Sequence, residues 1–147
     1  MEMAFTSSPG VLIATHGQLC QELIATAEMI LGSQTHLEAL PLLPGADPAD
    51  YKEAMSAFIR KHTGNAVILV DLVGGTPYNT AIKLSREFEV IAIAGVNLPM
   101  LIQALELRSS AKDPLEFARD VAAAAVAGVQ DMSPTMQKFF LAAQSEK

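Results

Sequence analysis

The 147 residues suffice for one domain with a real hydrophobic core and are too few for two. Half of them are apolar and nothing is low in complexity, and the formal charge of −6 argues against a broad nucleic-acid footprint built on clustered Lys and Arg while permitting a basic protein partner. The single cysteine, Cys20, excludes an internal disulfide, and no apolar run approaches the ~20 residues of a membrane helix.

Residues 1–9 lack a positive n-region and read as a loose leader, so the expected location is the cytoplasm. Gly10 to Thr15 predicts a first strand, apolar throughout and central, broken by His16-Gly17. From Leu19 the pattern turns helical, with Leu19, Leu23, Ala27 and Ile30 on one face and Gly32 as the stop. Leu37 to Leu42 predicts a second strand, less buried because it partly alternates. Asp47 as N-cap and Pro48 at the first helical position start a helix that runs to about His62. Its apolar stripe is Tyr51, Ala54, Met55, Phe58 and Ile59.

Val67-Ile68-Leu69-Val70 is a continuous apolar run, as in a strand buried on both faces, and Asp71 interrupts it with a carboxylate. Gly74 and Gly75 allow a tight turn and a close approach, and Thr76-Pro77 reads as N-cap and first residue of a helix to Arg86. Glu89 to Ala94 predicts the fourth strand, and Asn97 caps a helix to Arg108. Asp113, Pro114 and Glu116 open an alanine-rich helix that fades at Gly128. Beyond it, Val129 suits a short edge strand, and Met136, Phe139, Phe140 and Leu141 suit a terminal helical turn or a partner contact.

Strands alternating with helices predict a single open, doubly wound α/β domain with a mostly parallel sheet. Its functional crevice lies outside the carboxyl ends of the strands. His16, Asp71 and Asn97 all fall at that edge, with Thr15 and Gly17 beside the histidine. His36 and His62 read as plain surface residues.

A zinc site needs three or four ligands, and Cys20 near His16 has no further cluster to join. No G-x-S-x-G elbow, Walker A loop or G-x-G-x-x-G fingerprint is present. The chemistry left is covalent: an imidazole attacking a phosphoryl group. Asp71 would fix the tautomer of His16, and Gly74, Gly75 and Thr76 would offer N–H groups and a hydroxyl to the phosphoryl oxygens. This chemistry calls for no cofactor and no metal.

The ordered set Gly10-Val11-Leu12-Ile13-Ala14-Thr15-His16-Gly17, Thr26 to Gly32, Val70 to Asn79 and Ala94 to Leu101 resembles the IIA component of the mannose family of the bacterial sugar phosphotransferase system. The resemblance implies that His16 accepts a phosphoryl group from the general phosphocarrier protein and passes it to a IIB component, with the membrane reached only through the IIC and IID components. It also implies that Asp71 orients His16, that Thr76 and the two glycines line the phosphate site, and that the protein is a homodimer. In that dimer a strand near Val126 to Met132 joins the partner's sheet antiparallel. The expected division is leader 1–9, phosphotransfer domain 10–133 and C-terminal tail 134–147, a free-standing IIA without a linker to IIB. The related subunit of the dihydroxyacetone kinase relay carries a Gly-Ser motif after the third strand, so Gly74-Gly75-Thr76-Pro77 favours the sugar branch. A non-catalytic regulatory module on the same fold and a small hydrolase are the readings from other classes.

Overall fold

The computed structural model describes residues 3–147. Four strands, β1 (Gly10–His16), β2 (Leu37–Leu42), β3 (Ala66–Val70) and β4 (Ile91–Ala94), pair in parallel in the order β2-β1-β3-β4. Helices α1 (Leu19–Leu31), α2 (Pro48–Lys61), α3 (Thr76–Leu84) and α4 (Leu98–Leu107) each follow one strand, and α5 (Pro114–Ala127) and α6 (Ser133–Ser145) come last. The architecture is the expected α/β class.

Side chains of a strand alternate between faces, so an unbroken apolar run serves a sheet covered on both sides. Val11 and Ile13 of β1, with Val67 and Leu69 of β3, join the core under α1, α4 and α5. Leu12, Ala14, Ile68 and Val70 join the one under α2 and α3. The edge strand β2 is half-buried along its length. Three helix starts are held by side chains: Asp47 accepts from the Ala49 and Asp50 N–H groups, Asp113 from Leu115 and Glu116, and Asn97 from Met100.

Several details differ from the sequence expectations. On α1 the inward residues are Cys20 and Ala27, with Leu23, Ile24 and Leu31 against the same core, while Leu19 and Ile30 are exposed. The hydroxyl of Thr15 accepts the Cys20 N–H at 2.9 Å, which ties Cys20 to the end of β1 and sets the rotation of the helix. Ala54 of α2 is exposed. Gly75, not Thr76, is the N-cap of α3, because the turn ends one residue earlier. Strand β4 begins only at Ile91.

The expected loose leader is, over residues 3–9, tied down. Phe5 is 7% exposed and meets Phe117 edge-on at 5.7 Å, and Asn65 accepts from the Thr6 and Ser7 N–H groups. Residues 1 and 2 lie outside the described residues. His62, expected at the surface, has a side chain 10% exposed, packed between Gly10, Phe58 and His36. Val126 and Ala127 belong to α5, so helix replaces the first part of the expected exchanged strand, and residues 128–132 pair with no strand of their own chain. Among the described residues, no helix is long and apolar enough to cross a membrane.

Candidate functional site

The β1–β3 register pairs Ala14 with Val70, so Asp71, one residue on, comes level with Thr15 and beside His16. One carboxylate oxygen, Asp71 Oδ2, accepts two bonds from the histidine. The His16 backbone N–H donates to it at 2.9 Å, and His16 Nδ1 lies 2.9 Å from the same oxygen. The imidazole is therefore referenced to its own main chain through a shared acceptor. The His16 side chain is 48% exposed and that of Asp71 14%, an accessible ring on a mostly covered carboxylate. Burial works against the charge on Asp71, but the His16 N–H, the imidazole and the residue's own N–H outweigh it, and hold its pKa below the usual carboxylate value.

A carboxylate bonded to Nδ1 keeps a proton on that nitrogen and leaves Nε2 with its lone pair. The ring lies against Gly75: a Cβ built there would fall 2.6 Å from His16 Cε1 and 3.3 Å from Nε2. Only a glycine clears the imidazole. Gly74 makes the preceding turn with φ 83°, and Asn79 Nδ2 donates to its carbonyl at 3.1 Å, fixing the loop to the helix behind it. Helix α3 then opens without a side-chain cap and with Pro77 in its first turn, so its first N–H groups stay free for an outside acceptor. Thr76 is exposed at this start.

His16, Asp71, Gly74, Gly75 and Thr76 are thus brought together. Thr15 is buried and its hydroxyl serves α1; the Gly17 N–H donates to the Leu42 carbonyl, tying the end of β1 to β2. Asn97 shares the strand edge, but Oδ1 caps α4 and Nδ2 donates to the Ala125 carbonyl at 3.1 Å, so its side chain is engaged away from His16. Sequence reasoning assigned nothing to Asn79, Leu72 or Val73. The last two are apolar yet exposed in the turn beside the ring, and two apolar residues before a Gly-Gly turn are the signal that would have found them.

Charge is unevenly placed. The loops after the strands and the first turns of α1 to α4 hold Glu22, Asp47, Asp50 and Asp71, with no Lys or Arg among the described residues. Arg60, Lys61, Lys83, Arg86 and Arg108 lie in or just past the last turns of α2, α3 and α4, among carboxylates such as Glu38 and Glu87. Among the described residues, no group of three or more His, Cys, Asp or Glu side chains is placed to hold a metal ion.

A family model described as PTS system fructose IIA component, EIIA-man, matches residues 10–123. The PTS system mannose-specific EIIAB component of Escherichia coli K12 is 37% identical over 103 residues, which cover 67% of this chain and 31% of that protein. The chain therefore spans about a third of the length of that relative. The PTS system fructose-specific EIIA component of Bacillus subtilis strain 168 is 35% identical over 103 residues, 67% of this chain and 69% of that protein. Among solved structures, phosphotransferase system component EIIA from Streptococcus agalactiae superposes with a TM-score of 0.80 at 25% identity, covering 85% of this chain and 98% of that one. The mannose/sorbose specific IIA subunit from Enterococcus faecalis, at 23% identity, shares the fold with a TM-score of 0.77, covering 84% and 94%.

Proposed function

The chain belongs to the EIIA-man family of PTS system IIA components, and from that premise we propose that it is a phosphohistidine carrier in bacterial sugar uptake. His16 takes a phosphoryl group from the general phosphocarrier protein and hands it to a IIB component. Asp71 holds the proton on Nδ1, so Nε2 is the nucleophile. The Nε2–P bond forms as the donor's N–P bond breaks, and the electron pair of that bond returns to the donor nitrogen. The proton stays on His16 Nδ1, hydrogen-bonded to the Asp71 carboxylate, throughout. The phosphoryl oxygens meet the N–H groups at Gly74 and Thr76, with the Thr76 hydroxyl beside them, while the Gly75 N–H, which donates to the Leu72 carbonyl at 3.3 Å, closes the turn that presents them. The second transfer repeats the step with a IIB side chain as nucleophile.

The observation that carries this reading is the pair of hydrogen bonds from His16 to Asp71 Oδ2 beside the start of α3, which has no side-chain cap. The homodimer belongs to the same proposal: residues 128–132 add antiparallel to the partner's sheet, where the edge strand β4 offers an unpaired side.

The test is incubation with phosphoenolpyruvate, enzyme I and the phosphocarrier protein, read by intact mass. One acid-labile phosphoryl group is expected on the parent protein and none on His16→Ala. Asp71→Asn should keep the fold and slow uptake by roughly 10–100-fold, the usual loss when an orienting partner is removed. An unmodified parent protein overturns the reading in favour of a binding module. Uptake by Asp71→Asn at the parent rate removes Asp71 from its role while leaving His16 in place.

A further inference from the structure

We propose that Asn79 is a positioning residue for phosphoryl transfer, holding the turn from Leu72 to Gly75 in the form that aims the Gly74 N–H at the phosphoryl group. This rests on the phosphocarrier reading above and adds a residue to it. The Gly75 N–H donates to the Leu72 carbonyl at 3.3 Å, which closes a β-turn. Gly74, third in that turn, has φ 83°, and Val73 before it has no positive φ. Those signs define a type II turn. A type I turn keeps the same closing bond but puts its third residue near φ of about −90°. Passing from one to the other turns over the peptide unit between Val73 and Gly74, and so reverses the Gly74 N–H. Glycine accepts either sign of φ, so the turn residues alone leave the choice open.

Asn79 closes that choice from the first turn of α3. Its backbone N–H donates to the Gly75 carbonyl at 2.9 Å and its Nδ2 to the Gly74 carbonyl at 3.1 Å. Two successive carbonyls of the loop are thereby drawn to the helix. The peptide unit joining Gly74 to Gly75 is held at both ends, at its oxygen by Asn79 and at its nitrogen by Leu72. Among the described residues, the Gly74 and Thr76 N–H groups donate to no acceptor of the chain, which leaves both for the phosphoryl oxygens. A purely structural account of the side chain is weak. Asn79 and Gly74 are both exposed, water can bond the Gly74 carbonyl in its place, and alanine is the better helix former.

The experiment follows single-turnover transfer from the phosphorylated carrier protein to the full chain at rising carrier concentration. Asn79→Ala is expected to melt at or slightly above the parent temperature. Its saturating rate should fall about tenfold, with the half-saturating carrier concentration unchanged. In a titration with inorganic phosphate read by amide NMR, Gly74 and Thr76 should both shift in the parent protein, and only Thr76 in the variant. A parent-rate variant overturns the proposal. So does a loss confined to the half-saturating concentration, which makes Asn79 a docking residue, and so does a slower variant with a lowered melting temperature. A parent protein that takes up no phosphoryl group overturns the function proposed above. The hold of Asn79 on the turn is then decided by the titration alone, where equal shifts at Gly74 in parent and variant overturn it.

Discussion

Gly75 has an ordinary backbone, with φ −76°, so alanine fits the chain there and collides only with the imidazole. Gly75→Ala should therefore melt at nearly the parent temperature while phosphoryl uptake on His16 slows by roughly 10–100-fold, the scale of loss for a reacting group displaced by about 1 Å. Single-turnover transfer from the phosphorylated carrier protein measures it, and parent-rate transfer would place the ring elsewhere in solution. The carboxylate of Asp71 was legible because it interrupts an apolar run, and His16 because it ends one. The clearance at Gly75 was not, since it depends on the rotamer of His16 and on how β1 and β3 align. Thr15 shows the same limit: its place in the chain was readable, but its hydroxyl is taken by Cys20.

Helix starts carry clear sequence signals because capping is local chemistry. Asp47 and Asp113 each sit directly before a proline and accept two N–H bonds, and Asn97, two residues before Pro99, accepts one from Met100. Asn97 does more, since its amide also reaches the Ala125 carbonyl and ties α4 to α5. Asn97→Ala should cost about 1–2 kcal/mol, the range for losing such a cap. Urea unfolding measures that loss, and phosphoryl uptake below the melting range should be unchanged. Rotation about a helix axis is harder to read. On α1 the sets beginning at Leu19 and at Cys20 are both apolar, and a bond from the end of β1 decides between them. The start of α3 slipped by one residue for a related reason: glycine and threonine are both acceptable caps, and the turn geometry chose Gly75.

The parallel sheet followed from alternating strands and helices, whereas the position of β1 between β2 and β3 depends on contacts distant in sequence. The same holds at the far edge, where His62 is enclosed. Burial, then His36 and Lys61, then Arg108 disfavour its charged form, only Glu38 favours it, and its pKa is lowered. The unfolded chain takes a proton as pH falls through about 6.5, where the folded protein resists, so stability declines on that side. The urea midpoint should drop between about pH 7.5 and about pH 5.5, and His62→Gln should flatten that slope.

With four carboxylates unopposed by Lys or Arg at the strand-exit pole and basic residues offset by acids at the other, the molecule turns in the field of a positively charged surface. The imidazole end is drawn to arrive foremost. Salt confines that torque to about 8 Å at physiological ionic strength, so heading is settled in the last stretch of approach, before side chains touch.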